Sequence, residues 1–249
     1  MTRPLILVSN DDGVYAPGIR VLAECAAEYG DVVVSAPQGE QSGSSHAITL
    51  HSHLRAKPVR DGWFGVSGTP VDSVYLGVLH LCPRPPDLVI AGINDGYNLG
   101  SDVIYSGTVG AAREGHLRGA SALAVSVTRG HPPLAAVASV RRLLPALWER
   151  HRAGERHLLN VNVAAWEQEE PQPVVVTTLG QRRYVDRVEK RLDLQGQPYY
   201  WIGGPPDLAD DRPGEDTHAV AQGYVSVTPI APSPQLRELK TWQDALVDA

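Results

Sequence analysis

The feature that most constrains this chain is an alternation. Short runs that are apolar at nearly every position take turns with segments whose apolar residues recur at helical spacing. Leu5-Ile6-Leu7-Val8-Ser9 is such a run, as expected of a strand covered on both faces. Pro17 then stands at a helix start, Ile19, Leu22, Ala23 and Ala26 keep helical spacing, and Gly30 supplies a stop. Asp31–Ala36, Asp87–Ile93, Ala122–Val127 and Leu158–Val163 repeat the strand pattern. Between them, Thr69-Pro70 caps a helix with Val71, Val74, Tyr75, Val78, Leu79 and Cys82 on one stripe over three turns. A second helix covers Thr108–Leu117 and is entered through Ser106-Gly107; a third covers Leu134–Arg150 and bends near Pro145. Strand and helix in alternation predict an α/β fold: a Rossmann-like, open, mostly parallel sheet flanked by helices.

At 249 residues, a compact chain buries roughly 70–75% of its unfolded surface. One sizeable core then needs neither disulfide nor structural metal. Ala47 to Val66 reads as a β excursion and Pro37–Ser45 as a flexible polar loop. Past residue 165 the pattern changes. Strands Val174–Leu179, Tyr199–Ile202 and Tyr224–Ile230 alternate with Pro/Gly-rich and charged segments, and a helix over Leu236–Val247 closes the chain. The expectation is a single domain, with a core over 1–165 and an antiparallel β extension and arm over 166–249.

The balance of 22 basic against 28 acidic residues, a net charge of −6, disfavours duplex nucleic acid as a partner. The basic residues Arg182, Arg183, Arg187, Lys190 and Arg191 are interleaved with Asp186, Glu189 and Asp193 and read as a solvated or interface face. Cys25 and Cys82 form no CxxC pair and read as reduced, buried thiols. Leu5–Val8 is too short for a secretory core region, and no run approaches ~18 apolar residues. A soluble, cytoplasmic protein without a membrane partner is expected.

In an open α/β sheet, ligands bind beyond the carboxyl ends of the strands. There the chain places Asn10-Asp11-Asp12-Gly13, then Gln41-Ser42-Gly43-Ser44-Ser45, then Asn94-Asp95-Gly96-Tyr97-Asn98-Leu99-Gly100, then Ser106-Gly107-Thr108. Each alone is turn chemistry; the fold would bring all of them to one edge. The opposite edge, around Tyr29-Gly30-Asp31, carries no comparable set. Adjacent carboxylates at Asp11 and Asp12 repel unless neutralised, and a divalent cation does this. With the neutral oxygens of Ser42 and Asn94 the donor set is all hard oxygen, suited to Mg²⁺ or Mn²⁺, with Ca²⁺ admissible. The rival pair His51-x-His53 would share one strand face near His46, but has no acidic or cysteine partner at suitable spacing. Ser106-Gly107-Thr108 opens a helix with two hydroxyls and free N–H groups, which is an anion site. A cation facing an anion site describes a place for a phosphate. The chain carries no Gly-x-Gly-x-x-Gly, P-loop or Gly-x-Ser-x-Gly motif, so dinucleotide binding, Walker-type hydrolysis and a nucleophile elbow have no support.

Ser9-Asn10-Asp11-Asp12-Gly13-Val14 with Ala16-Pro17-Gly18, Gln41-Ser42-Gly43, Gly68-Thr69-Pro70-Val71-Asp72 and Ser106-Gly107-Thr108-Val109 closely resemble motifs of the SurE family of stationary-phase survival proteins. Gly92-Ile93-Asn94, Asn98-Leu99-Gly100 and the late Gly223–Pro229 fit as well, so the resemblance covers nearly the whole chain. It implies metal-dependent hydrolysis of nucleoside 5′- and 3′-monophosphates, with polyphosphate a substrate of some members. Asp11, Asp12, Ser42 and Asn94 would ligate one divalent cation per subunit. Ser42, Gly43, Asn98, Ser106, Gly107 and Thr108 would contact phosphate, and Asp11, Asp12, Asn98 and Ser106 would act in catalysis. The resemblance also implies a homodimer or homotetramer built through the 166–249 arm. The chain departs from the family pattern at Pro213-Gly214-Glu215-Asp216, at Thr217-His218 and at Ser73. Two rival readings use the same pocket: a non-catalytic phosphate or nucleotide sensor, and phosphotransfer through an aspartyl phosphate. The second lacks its usual Asp-x-Asp spacing. Trp63, Trp201 and Tyr105 are candidate base-stacking residues, with Tyr105 lying between two site loops.

Overall fold

The computed structural model describes residues 3–168, 172–185, 187–204, 206–207 and 212–232. In chain order, β1 (Leu5–Ser9), α1 (Pro17–Ala27), β2 (Asp31–Pro37), β3 (Ala56–Arg60), β4 (Trp63–Val66), α2 (Pro70–Leu76) and β5 (Leu88–Asp95) come first. They are followed by α3 (Gly107–Leu117), β6 (Ser121–Val127), α4 (Val137–Arg152), β7 (Leu158–Val163) and β8 (Val174–Val176). The rest comprises β9 (Arg183–Tyr184), β10 (Arg187–Leu192), β11 (Pro198–Gly203), β12 (Pro206–Asp207), α5 (Asp216–Ala221) and β13 (Val225–Pro229).

Nine strands form one sheet in the order β3-β4-β2-β1-β5-β6-β7-β13-β8. Its centre, from β4 to β7, is parallel, as the strand–helix alternation requires. From β1 the chain moves outward to β2, and later returns to place β5 on the other side of β1. The carboxyl ends of β1 and β5 therefore flank the switch point where the strand order reverses.

Side chains of β1 alternate between two cores. Ile6 and Val8 pack with Ile19, Leu22, Ile90, Leu123 and Leu144 on the face covered by α1 and α4. Leu5 and Leu7 pack with Val74, Val89, Val109 and Ala111 on the face covered by α2 and α3. Burying each large aliphatic side chain contributes about 1.5–3 kcal/mol, so a strand apolar from Leu5 to Val8 is held from both sides.

The helix over Val71–Cys82 divides in two. It is α-helical to Leu76 and widens into a π turn over Gly77–Leu81, closed by Cys82 N–H donating to the Gly77 carbonyl at 2.9 Å. Its start is as expected: the Thr69 hydroxyl accepts from Asp72 N–H at 3.1 Å, and the Asp72 carboxylate accepts from Thr69 N–H at 2.9 Å, a capping box. The helix expected at Leu134–Arg150 begins as a 3₁₀ turn over Pro133–Ala136 and runs α-helical to Arg152, with Pro145 inside it. The excursion before Gly68 holds β3 and β4, an antiparallel pair at the sheet edge.

Beyond residue 165 the chain divides between sheet and extension. β13 returns to pair antiparallel with β7, and β8 pairs parallel with β13, so both belong to the main sheet. The expected strand at Val174–Leu179 is shorter, ending at Val176. The antiparallel hairpin β10–β11 stands apart. The charged cluster lies at this hairpin's base and on β10, where Arg187, Lys190 and Arg191 are exposed; Asp186 and the helix expected over 236–247 lie outside the described residues. α5 had no sequence signal, since six residues are too few to establish a helical period. Both cysteines are free; Cys25 is buried as expected, whereas Cys82 is half-buried. No helix among the described residues is long and apolar enough to cross a membrane.

Candidate active site

β1 ends at Ser9, and the next residues turn across the sheet edge. The Asn10 side chain accepts from Gly13 N–H at 3.2 Å and donates to the Gly13 carbonyl at 2.9 Å. That local clamp needs Gly13 at φ +102, a conformation that side chains resist. It presents Asp11, buried, and Asp12, half-buried, at the mouth of β1.

The second loop is pinned beside them. Gln41 N–H donates to the Asp11 carbonyl at 2.8 Å, Ser45 N–H donates to the Tyr105 carbonyl at 2.9 Å, and the Ser45 hydroxyl donates to the Ile104 carbonyl at 2.6 Å. Ser42 is exposed and its hydroxyl donates to Glu40 at 3.0 Å. From β5, the Asn94 side-chain nitrogen donates to the Gly96 carbonyl at 2.7 Å, so its side-chain oxygen is the atom that bond leaves unused.

The helix start does more than offer an anion site. The Ser106 hydroxyl caps α3 by accepting from Val109 N–H at 3.0 Å, while its own O–H remains able to donate. The Thr108 hydroxyl donates to the Asp11 carboxylate, so Thr108 anchors a carboxylate rather than facing the opening. Gly107 lies directly against Asp11: a Cβ on it would stand 3.0 Å from Asp11 Cβ and 2.7 Å from Ser44 Oγ. Asn98 is buried in a polar network. Its backbone N–H donates to Asn162 Oδ1 at 2.8 Å, its side-chain nitrogen donates to Ser126 at 2.9 Å, and its carbonyl accepts from Asn160 at 2.7 Å and Asn162 at 3.1 Å.

A cleft of about 1000 Å³ opens over this edge, lined by Asp11, Asp12, Ser42, Gly43, Asn94, Asn98 and Ser106. Gly107 and Thr108 lie behind that wall. The same cleft is lined by Asp95, Gly96 and Tyr97, from the loop the sequence already places at this edge, and by residues that were given no role there: Glu40, Asp102, Arg129, Tyr184 and Ile202 to Gly204. Glu40 adjoins a quoted motif and could have been found there. Arg129 and Tyr184 come from segments without any motif. Of the candidate stacking residues, Tyr105 lines this cleft; Trp63 lines a separate one with Arg60, whose guanidinium lies 3.7 Å above its ring. Trp201 is exposed on β11. His51 and His53 are exposed in irregular chain rather than paired on a strand face.

Electrostatics tests whether a cation fits. Burial raises the Asp11 carboxyl, opposed by the bond from Thr108. Burial, then the charges of Asp11, Asp95 and Glu40, pushes Asp12 up to about 6. The charges felt most strongly at Asp12 are thus all acidic, the situation that a divalent cation relieves. Among the described residues no three His, Cys, Asp or Glu side chains form a metal cluster. Asp11, Asp12, Ser42 and Asn94 all line the cleft and all offer oxygen, a donor chemistry that suits a hard divalent cation.

An open α/β sheet with paired carboxylates and a helix N-terminus at its switch point defines a hydrolase of the metal-dependent, phosphate-handling class. The family model described as "Survival protein SurE" matches residues 6–186. The chain belongs to the SurE family. It is 46% identical to a protein of Nitrosococcus oceani named 5′-nucleotidase SurE, over 90% of each chain. It is 48% identical to the 5′/3′-nucleotidase SurE of Serratia proteamaculans, over 90% of this chain and 89% of that one. The crystal structure of the SurE protein from Aquifex aeolicus superposes with a TM-score of 0.83 at 35% identity, covering 97% of this chain and 99% of the other.

Proposed function

We propose that this chain is a divalent-metal-dependent phosphomonoesterase that hydrolyses nucleoside 5′- and 3′-monophosphates to nucleoside and phosphate, with short polyphosphate as a further substrate. The observation that carries the reading is the pair Asp11 and Asp12, set among acids and facing an open cleft beside the start of α3. The relatives' printed names agree with it.

Asp11, Asp12, Ser42 and Asn94 would hold one Mg²⁺ or Mn²⁺. When bound, the cation neutralises the carboxylates and polarises the phosphoryl group. Thr108 fixes the rotamer of Asp11. An oxygen of Asp12, the more exposed of the two, orients the attacking water. The Ser106 O–H donates to a phosphoryl oxygen, with Gly43 and Asn98 lining the cleft beside it and the positive end of the α3 dipole behind it, as charge builds there. Water adds to phosphorus, the ester P–O bond breaks, and the departing nucleoside oxygen takes up a proton.

The test is phosphate release from 5′- and 3′-nucleoside monophosphates and short polyphosphate, with Mg²⁺, with Mn²⁺ and with chelator. Metal-dependent release from monophosphates is expected. Release that persists in chelator, or none from any ester with either metal, overturns the reading.

We propose further that the chain folds as one unit and works as a homodimer or homotetramer in the cytoplasm. β8 and β13 complete a sheet begun by β1, which supports a single cooperative unfolding transition. The hairpin β10–β11 exposes Val188, Leu192, Tyr200 and Ile202 on one face. An isolated two-stranded hairpin is marginal in water, and such an apolar patch marks an interface. Light scattering should show an oligomer that Tyr200→Glu with Ile202→Glu shifts toward monomer; a monomeric wild type would refute the assembly.

A further inference from the structure

The cleft is far larger than a phosphate and one cation require, and its lining is mixed. Asp11, Asp12, Glu40 and Asp95 are acidic, whereas Tyr97, Tyr184 and Arg129 bring aromatic rings and a guanidinium. In that second group most hydrogen-bonding atoms are already engaged. The Tyr97 hydroxyl bonds Thr128 Oγ1 at 2.5 Å, and the Tyr184 hydroxyl donates to Asp102 at 2.6 Å. The nearby Arg182 donates to the same Asp102 at 2.8 Å.

Arg129 differs. It sits at the second position of a four-residue turn in which His131 N–H donates to the Thr128 carbonyl at 2.9 Å and Gly130 has φ +75, a type II geometry. Both of its neighbours in the turn are tied to the loop after β5: Thr128 to Tyr97, and Gly130, whose N–H donates to Asp95 at 2.6 Å. The guanidinium lies across Gly96, Nε 3.6 Å from where a Cβ would stand. Among the described residues no hydrogen bond or ion pair holds it. A backbone fixed on both sides, carrying an unpaired planar donor into a substrate cleft, is a recognition element.

The side of the cleft it serves follows from what it touches. Arg129 makes no hydrogen bond or ion pair with Asp11, Asp12, Ser42, Asn94 or Ser106, the groups assigned to metal and phosphate, and rests on Gly96 in the lining that also carries Tyr97 and Tyr184. Resting on the hydrolase reading above, we propose that Arg129 is a specificity-determining residue that recognises the leaving group, selecting nucleoside monophosphates over phosphomonoesters with small leaving groups. Nucleobases supply planar acceptor edges for a guanidinium fork, guanine O6 and N7 above all.

The experiment compares kcat/KM for GMP with kcat/KM for phenyl phosphate in wild type, Arg129→Ala and Arg129→Lys, all loaded with the same metal. The GMP-to-phenyl-phosphate ratio should fall about tenfold in Arg129→Ala, carried by KM, a change of about 1.4 kcal/mol. Arg129→Lys should restore only part, because an ammonium keeps the charge but not the fork. An unchanged ratio overturns the proposal, whether neither substrate is affected or both decline together, since the latter would put Arg129 on the phosphoryl group. Should the wild type turn over neither ester, the hydrolase reading fails by itself, and calorimetric binding of GMP to the metal-loaded proteins decides about Arg129. Weaker binding by Arg129→Ala than by wild type sustains its role, and equal binding removes it.

Discussion

The buried Asp216 carboxylate accepts the backbone N–H of Gly100 at 2.9 Å, across 116 residues of chain. It also accepts from Gly180 N–H at 2.8 Å and Thr217 N–H at 2.9 Å. One side chain thus ties the loop between Asn98 and Ser106 to two later segments. Gly100 is held at φ +52, and a Cβ there would stand 2.6 Å from the Gly180 carbonyl oxygen, so no side chain fits where the two loops meet. Asp216→Ala leaves these buried donors without an acceptor and should lower the unfolding free energy by about 3 kcal/mol. Asp216→Asn, which keeps one acceptor, should fall between. Urea midpoints at unchanged m-value measure both.

Asp11→Asn and Asp12→Asn should each reduce kcat/KM by at least about 10³-fold, the scale of losing an electrostatic group at a transferring phosphoryl. Stability should move the other way for Asp12. Burial and neighbouring acids already push its carboxyl up to about 6, so removing the charge relieves a penalty in metal-free protein. Metal-free Asp12→Asn should melt at or above the wild-type temperature, and added Mg²⁺ or Mn²⁺ should stabilise it much less than wild type. A near-native rate in either variant would remove the assignment.

Much of this was legible because the chemistry sits where regular elements end. β1 is apolar at four consecutive positions and gives way through Ser9 to Asn10, so strand, turn and carboxylates are read in one pass. Ser106 stands at the start of α3 for similarly local reasons. What escaped depends on contacts between distant segments. Thr108 reads as a phosphate contact by position, yet its hydroxyl is turned onto Asp11 by the approach of α3 to β1 across 97 residues. Arg129 lies in an ordinary turn whose importance comes from Asp95 and Tyr97. The return of β13 to β7 was invisible because alternation reveals a strand but not its partner.

The contact between Gly107 and Asp11 predicts a variant that distorts the site without removing a functional group. A methyl at residue 107 would meet Asp11 Cβ at 3.0 Å, Asp11 Oδ2 at 3.1 Å and Ser44 Oγ at 2.7 Å. Ser44 can rotate, but Asp11 is held by Thr108 and by the backbone bond to Gln41. Gly107→Ala should therefore cost about 10²-fold in kcat/KM through misplacement of the carboxylate. Its helix propensity is favourable, with Ala better than Gly by up to about 1 kcal/mol, so stability should change by less than Asp216→Ala changes it. Kinetics beside thermal unfolding separates the two effects. A large stability loss with normal kcat/KM in the folded fraction would contradict this geometry.

Two histidines set the acid side of stability. Burial lowers His116 from its ordinary 6.5, opposed by a hydrogen bond with the His157 backbone and reinforced by the charges of His157 and Arg156; its Nδ1 is buried without a hydrogen-bond partner. Burial likewise lowers His151, helped by Arg156 and opposed by Asp87, while its ring stacks on Trp148 with centroids 5.7 Å apart. In both cases the unfolded chain takes up a proton at higher pH than the folded one. Their contribution is present above pH 6.5 and is lost as pH falls toward the folded values. The slope is at most about 1.4 kcal/mol per pH unit per histidine, reduced because both rings are partly solvated. Asp12 has the opposite sign: its raised carboxyl favours the fold at low pH and loses that advantage between 3.8 and about 6. Unfolding free energies of metal-loaded wild type, His116→Gln and His151→Gln between pH 7.5 and 5.5 isolate the histidines, because Asp12 is common to all three. Each variant should flatten the decline below pH 6.5, and parallel curves would mean that neither ring is held neutral by the fold.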